Sequence, residues 1–208
     1  MTQGLENFNQ LEPNNLVADL LEYLEGQLPT FTHSKEFVDI LAVKKNENQH
    51  STAFCTYMTN QCFSRFYFAR ENSQKGSRTI DIGVYFGSTL IFTIEAKILP
   101  TPKGTKSNPR NDHEYVYGKG GGIQRFKDGN HGLDLKNNLF PEVGLIGYIK
   151  DEDFNYWLKK VNLWISNANW DNSEHLEIIY FKAIAKLRSK HPRKNKSEVL
   201  LHHFWIEV

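Results

Sequence analysis

Two β-rich runs, Thr79–Phe86 (TIDIGVYF) and Leu90–Leu99 (LIFTIEAKIL), are separated only by Gly87-Ser88-Thr89, and this closeness constrains the chain more than any other feature. Runs this rich in Ile, Val, Phe and Tyr around a short turn predict a β-hairpin. If Phe86 pairs with Leu90 across a three-residue loop, Asp81 falls directly opposite Glu95, with Cβ atoms roughly 5 Å apart. Alternation then places Asp81, Gly83, Tyr85, Ile91, Thr93, Glu95 and Lys97 on one face. The other face carries Ile80, Ile82, Val84, Phe86, Leu90, Phe92, Ile94, Ala96 and Ile98, and is wholly apolar. Register decides the outcome, because a slip of one residue sends Glu95 to the opposite side of the sheet.

Carboxylates opposed across a sheet repel each other, so Asp81 and Glu95 need a compensating cation. A divalent ion serves well, and oxygen ligands favour magnesium or manganese over zinc. Lys97, two residues past Glu95 on the same face, can neutralise the pair or polarise a metal-bound water. The other reading of the same residues is a cross-strand salt bridge at a solvated sheet end. Strands this apolar predict a sheet covered on much of both faces, where clustered charges call for a purpose.

The rest of the chain alternates helical and strand patterns, which predicts an α/β fold. Leu16, Leu20, Leu21 and Leu24 give residues 14–27 an amphipathic helix stopping near Gly26. Helices are also expected from Ser34 into the low forties, over 47–58 and over 153–168. Strands are expected in the aromatic run after Asn60 (CFSRFYFARE), at 144–149, near 176–185 and at the C-terminus (VLLHHFWIEV). Residues 100–131, rich in Gly, Pro, Asn and Lys, read as a long loop leading into a short helix, and long loops in small proteins are commonly functional. The basic run 186–196 reads as a loop. No repeat or linker divides the chain, so residues 1–208 form one expected domain, with 1–33 a helical extension.

On Asp81, the hairpin and Glu95-Ala96-Lys97, the chain resembles the PD-(D/E)XK nuclease superfamily, the restriction-endonuclease-like fold. The superfamily core order of helix, three strands, helix and strand is similar to the order read from about 47 to 149, roughly half the chain. Ile80 stands where the motif's name has proline, and the insertion from Pro100 to Gly122 is long. The resemblance implies an α/β fold with a mixed β-sheet flanked by helices (an αβββαβ core). It implies metal-dependent hydrolysis of phosphodiester bonds in DNA, with Asp81 and Glu95 holding Mg²⁺ or Mn²⁺ and Lys97 beside the attacking water. An acidic residue of the first core helix often assists the metal in this superfamily. Glu47 is the nominee, with Glu71, at the end of the next strand, as its competitor. Gln124 and Arg125 fall on the helix after the Glu-x-Lys strand, where members carry polar or basic groups facing the site, and Gln124 joins the catalytic set on that ground. A Tyr four places after Gln124 would mark the RecB-like branch, but residue 128 is Asp. The alternative function is a nucleic-acid-binding module that keeps the fold without turnover, in a defence or repair assembly.

Net charge excludes little, since 25 Lys and Arg face 24 Asp and Glu. The distribution is more telling. Lys182, Lys186, Arg188, Lys190, Arg193, Lys194 and Lys196 follow one another with no acid between them. With Lys119, Arg125 and Lys127, the residues Lys190, Arg193, Lys194 and Lys196 are the expected contacts to a DNA backbone, through phosphates and not bases. RNA and a second copy of the chain are partners left open. GKGGGIQRFK lacks the spacing of a phosphate-binding P-loop, and His202-His203 and the four Trp residues read as packing. Two cysteines, no apolar run of spanning length and no leader pattern point to a cytoplasmic protein with no membrane partner.

Overall fold

The computed structural model describes residues 13–43, 46–63, 65–74, 78–107, 109–118, 120–195 and 197–208. Five helices, α1 (Pro13–Phe31), α2 (Lys35–Val43), α3 (Glu47–Gln61), α4 (Gly122–Lys127) and α5 (Phe154–Asn167), flank one sheet. Its seven strands are β1 (Tyr67–Ser73), β2 (Thr79–Phe86), β3 (Thr89–Leu99), β4 (Glu142–Ile149), β5 (Glu177–Phe181), β6 (Ala185–Pro192) and β7 (Glu198–Glu207). They lie in the order β1-β2-β3-β4-β7-β6-β5. The β3–β4 and β4–β7 pairs are parallel and the others antiparallel, so the sheet is open and mixed. From α3 to β4 the elements run helix, three strands, helix, strand. Among the described residues no helix is long and apolar enough to cross a membrane.

Each face of the sheet has its own apolar layer. Ile82, Val84, Phe92, Ile94, Ala96 and Ile98 pack with α1 and α3 through Leu20, Leu24, Phe31 and Phe54. The opposite layer joins Val143, Leu145, Leu187 and Trp205 to α4 and α5 through Ile123, Phe126, Trp157 and Val161. Ile80 belongs to this second layer and not to that of Ile82. Helix α1 runs past the expected stop at Gly26 and contains Pro29. The fully buried Leu28 and Phe31 extend its apolar stripe and outweigh the poor helix propensity of Gly26 and Pro29. After α3, Phe63 adopts a left-handed φ of 47° and the Cys62 thiol donates to the Phe66 carbonyl at 2.6 Å. That turn consumes the start of the expected aromatic strand, which begins only at Tyr67.

The hairpin differs from expectation in one detail that preserves its consequence. The turn is shorter, Gly87-Ser88, with Phe86 paired to Thr89 and Tyr85 to Leu90. A bulge then leaves Ile91 unpaired, so that Val84 meets Phe92, Gly83 meets Thr93 and Ile82 meets Ile94. The extra residue restores the register that the shorter turn had shifted. The basic run also differs, because most of it is strand β6 and not a loop. Ala185, Leu187, Ser189 and His191 are buried on one side, with Lys186, Arg188 and Lys190 on the other. His202 and His203 lie on β7, an inner strand between β4 and β6.

Strand β4 is buried on both faces, and Gly147 is where the packing is tightest. A Cβ there would stand 2.5 Å from Trp205 Cδ1, and the indole is itself fixed by donating Nε1–H to the Tyr115 hydroxyl at 2.8 Å. Gly147→Ala is therefore expected to cost about 1–3 kcal/mol in urea unfolding through overpacking. Gly26→Ala, where a Cβ meets nothing within 4 Å, is expected to gain roughly 0.5–1 kcal/mol of helix stability. Equal effects of the two substitutions would contradict this packing.

Candidate functional site

The β2–β3 ladder ends at Ile82–Ile94, and the site begins where it ends. Continuing that register brings Asp81 opposite Glu95. There the Ala96 N–H donates to Asp81 Oδ2 at 2.8 Å, so the two strands are joined at this point through a side chain. Beyond the fork β3 stays paired to β4, with Glu95 beside Leu145 and Lys97 beside Gly147. The strand thereby carries Thr93, Glu95 and Lys97 into the interior, at 0, 0 and 4% exposure.

Glu95 is the centre of the cluster. Its Oε1 accepts from Lys97 Nζ at 2.7 Å and from Arg125 of α4 at 2.8 Å, while His131 Nδ1 stands 3.1 Å from Oε2. Burial would raise this carboxyl, but Lys97, His131 and Arg125 outweigh it and hold Glu95 down at about 2. Burial would equally discharge Lys97, yet Glu95, Glu47 and Asp81 together push its ammonium above the usual lysine value. Lys97 is thus a fixed cation at neutral pH and cannot act as a general base in this state. Asp81 goes the other way. Burial first and the neighbouring Glu95 second push it up to about 7 against the opposing pull of Lys97, so its carboxyl exchanges a proton near neutrality.

Glu47 enters from the first turn of α3, whose N-terminus is capped by Asn46 accepting the Gln49 N–H. Its Oε1 lies 3.7 Å from Lys97 Nζ and its Oε2 lies 3.6 Å from Arg110. Arg110 belongs to the insertion after β3 and also donates to Glu114 at 2.8 Å. Two adjoining clefts of about 350 Å³ each meet at Asp81 and Arg125. Glu47, Lys97 and Arg110 line one of them, and Arg78, Gln124 and His131 line the other.

The fold thus brings together Asp81, Glu95, Lys97, Glu47 and Arg125. Gln124 also lines the cleft, with its Oε1 accepting the Gly118 N–H at 2.9 Å. Glu71 is exposed at a left-handed position (φ 51°), paired with Arg70 and away from these groups. Lys127 points elsewhere, to Glu174 and over the Trp170 ring at 3.9 Å. Arg193 is buried and donates to the carbonyls of Phe126, Glu198 and Phe140. Lys190 pairs with Glu198 and Lys194 with Asp128, while Lys119 and Lys196 lie outside the described residues. His131, Arg110 and Glu114 were not anticipated. The sequence around His131 (GNHG) reads only as a turn, and nothing local distinguishes Arg110 from any loop cation.

Whether these residues suit a divalent ion can be tested on their donors. Asp81, Glu47 and Glu95 all offer hard carboxylate oxygens around one ammonium, and Glu47 Oε2 is buried without a hydrogen-bond partner. The Tyr148 hydroxyl is likewise buried without a partner. The donor chemistry therefore fits. The cage is not preassembled, since among the described residues no three His, Cys, Asp or Glu side chains form a ready metal-binding group. No family model matches the chain, and no curated protein or solved structure matches it.

The raised Asp81 gives a signed pH dependence. Its folded pKa, about 7, exceeds the unfolded value of roughly 4, so the folded state holds the extra proton. Stability falls as pH rises between these values and stays low above them. Glu95 works oppositely, since its stabilisation is present above roughly pH 4 and is lost as pH falls through about 2. Asp81→Asn in EDTA is therefore expected to be more stable than the parent at pH 8, by on the order of 2 kcal/mol, with the gap closing toward pH 4. Thermal unfolding of both proteins at pH 4.5 and 8 checks this, and a gap that does not change with pH contradicts it.

Proposed function

We propose that this protein is a metal-dependent nuclease of PD-(D/E)XK type, with a restriction-endonuclease-like fold, that hydrolyses phosphodiester bonds in DNA. The observation that carries this reading is the convergence of Asp81, Glu95 and Lys97 with Glu47 at the fork between β2 and β3. The helix, three-strand, helix, strand order around the fork supports it.

In this reading Asp81, Glu95 and Glu47 hold Mg²⁺ or Mn²⁺. Such an ion, when bound, would supply an activated water and charge stabilisation at the phosphoryl oxygens. The chain's own groups set the stage. Water adds to phosphorus, one ester P–O bond breaks, and the proton of the water ends on solvent or on the departing oxygen. Lys97, a permanent cation in a nearly sealed site, offsets charge that develops in the transition state. Arg125 and His131 fix Glu95 and so the direction in which Lys97 points. Gln124 lines the open side.

A second reading, a binding module without turnover, is favoured by one observation. Both oxygens of Glu95 are engaged by Lys97, Arg125 and His131. Cleavage assays separate the two. Lys97→Met is expected to keep DNA affinity and lose about 10²-fold or more of single-turnover, Mg²⁺-dependent cleavage. Asp81→Asn is expected to weaken Mn²⁺ binding as well as rate. A parent that cleaves no DNA or RNA in Mg²⁺ or Mn²⁺, or a Lys97→Met variant that cleaves like the parent, overturns the nuclease reading.

A further inference from the structure

The described cations of the C-terminal run, which look most like a nucleic-acid footprint in the sequence, are engaged within the fold. Lys186 pairs with Glu25, Arg188 with Glu177, Lys190 with Glu198 and Lys194 with Asp128. Arg193 is buried against three carbonyls, and Lys182 lies over the Tyr180 ring. Strand pairing places Glu177 of β5 and Glu198 of β7 beside a run that contains no acid, and α1 and the end of α4 add Glu25 and Asp128. Each of the six described cations of this run thus has a partner within the protein, four of them an acid.

The excursion, or flap, between β3 and the 3₁₀ turn at Asp112–Tyr115 is different. Residues 102–111 (PKGTKSNPRN) carry three cations and no acid. The base is closed by the Thr101 hydroxyl donating to the Asp112 carbonyl at 3.3 Å. Arg110 is committed to Glu114 and Glu47 at the wall of the cleft. Lys103 and Lys106 are exposed and meet no acid among the described residues. Pro109 and Arg110 line the same cleft as Asp81 and Lys97, so these two lysines sit on the segment that borders the site.

We propose that this excursion is the surface that engages a nucleic-acid strand, with Lys103 and Lys106 contacting phosphates beside the cleft, and that the C-terminal basic run is not. The inference rests on the nuclease reading for its choice of a phosphodiester polymer. Such contacts read no bases, so they act alike on every sequence. They release counterions, so they appear in the salt dependence of binding.

The test is fluorescence anisotropy of a 5′-labelled mixed-sequence 20-mer duplex and its single strand in EDTA, from 50 to 200 mM salt. Lys103→Ala/Lys106→Ala is expected to weaken binding roughly tenfold and to flatten the log–log salt slope by about 2. Lys190→Ala/Lys194→Ala is expected to change affinity less than about twofold. A flap variant that binds like the parent, a C-terminal variant that loses as much as the flap variant, or a parent that binds neither DNA overturns the proposal. Mg²⁺ cleavage by the same proteins keeps the two readings apart. A parent that binds through the flap and never cleaves overturns the nuclease and leaves the flap, and a parent that cleaves while the flap variant binds normally overturns the flap alone.

Discussion

A carboxylate with no exposed surface bound to an ammonium with almost none, Glu95 to Lys97, is the interaction around which the structure is arranged. Removing two charges from water is costly, and their mutual attraction compensates only when the remaining lone pairs and protons find partners. Here four elements supply them. Helix α4 gives Arg125, the segment after it gives His131, α3 gives Glu47, and the end of β2 gives Asp81. Loss of either partner of the pair, Glu95 or Lys97, leaves an uncompensated buried charge, a loss of about 3–5 kcal/mol. The position of α3 and α4 on opposite sides of the β3 fork is thus tied to the electrostatics of a single strand.

The neighbourhood remains unbalanced after these pairings. Burial and the neighbouring Glu95 push the Asp81 carboxyl up to about 7, and Glu47 has a buried oxygen without a hydrogen bond. Both are carboxylates, and both lie on the cleft side of Lys97. A protein selected only for stability would replace Asp81 with a neutral residue. Under the proposed nuclease reading its place beside the fork is accounted for, because the carboxylate oxygens there would meet a hard cation.

The sequence made the centre of this arrangement legible because strand alternation is a strong rule. Asp81, Glu95 and Lys97 gather at one fork, even though the turn is one residue shorter than expected and a bulge at Ile91 makes up the difference. Two compensating irregularities cannot be read from residue types, since Gly87-Ser88-Thr89 suits either loop. Strand β6 escaped notice because Ser189 and His191 occupy its inward positions. They are buried only because Ser189 bonds both His191 and His203, and His191 reaches Glu174. Partners 14 to 17 residues away leave no local trace. The same holds for His131, Arg110 and the acids that meet the C-terminal cations. Long-range ion pairing decides which charges face solvent, and composition along the chain does not record it.

The measurement that bears most directly on the central claim is a crystal structure of the protein grown in millimolar Mn²⁺, with anomalous scattering to locate the ion. The account predicts a manganese peak bounded by the carboxylates of Asp81 and Glu95, with Lys97 still directed at the same cleft. Crystals that show no manganese there, with Lys97 Nζ still donating to Glu95 Oε1 as it does at 2.7 Å here, would contradict it and leave the cluster a structural salt bridge.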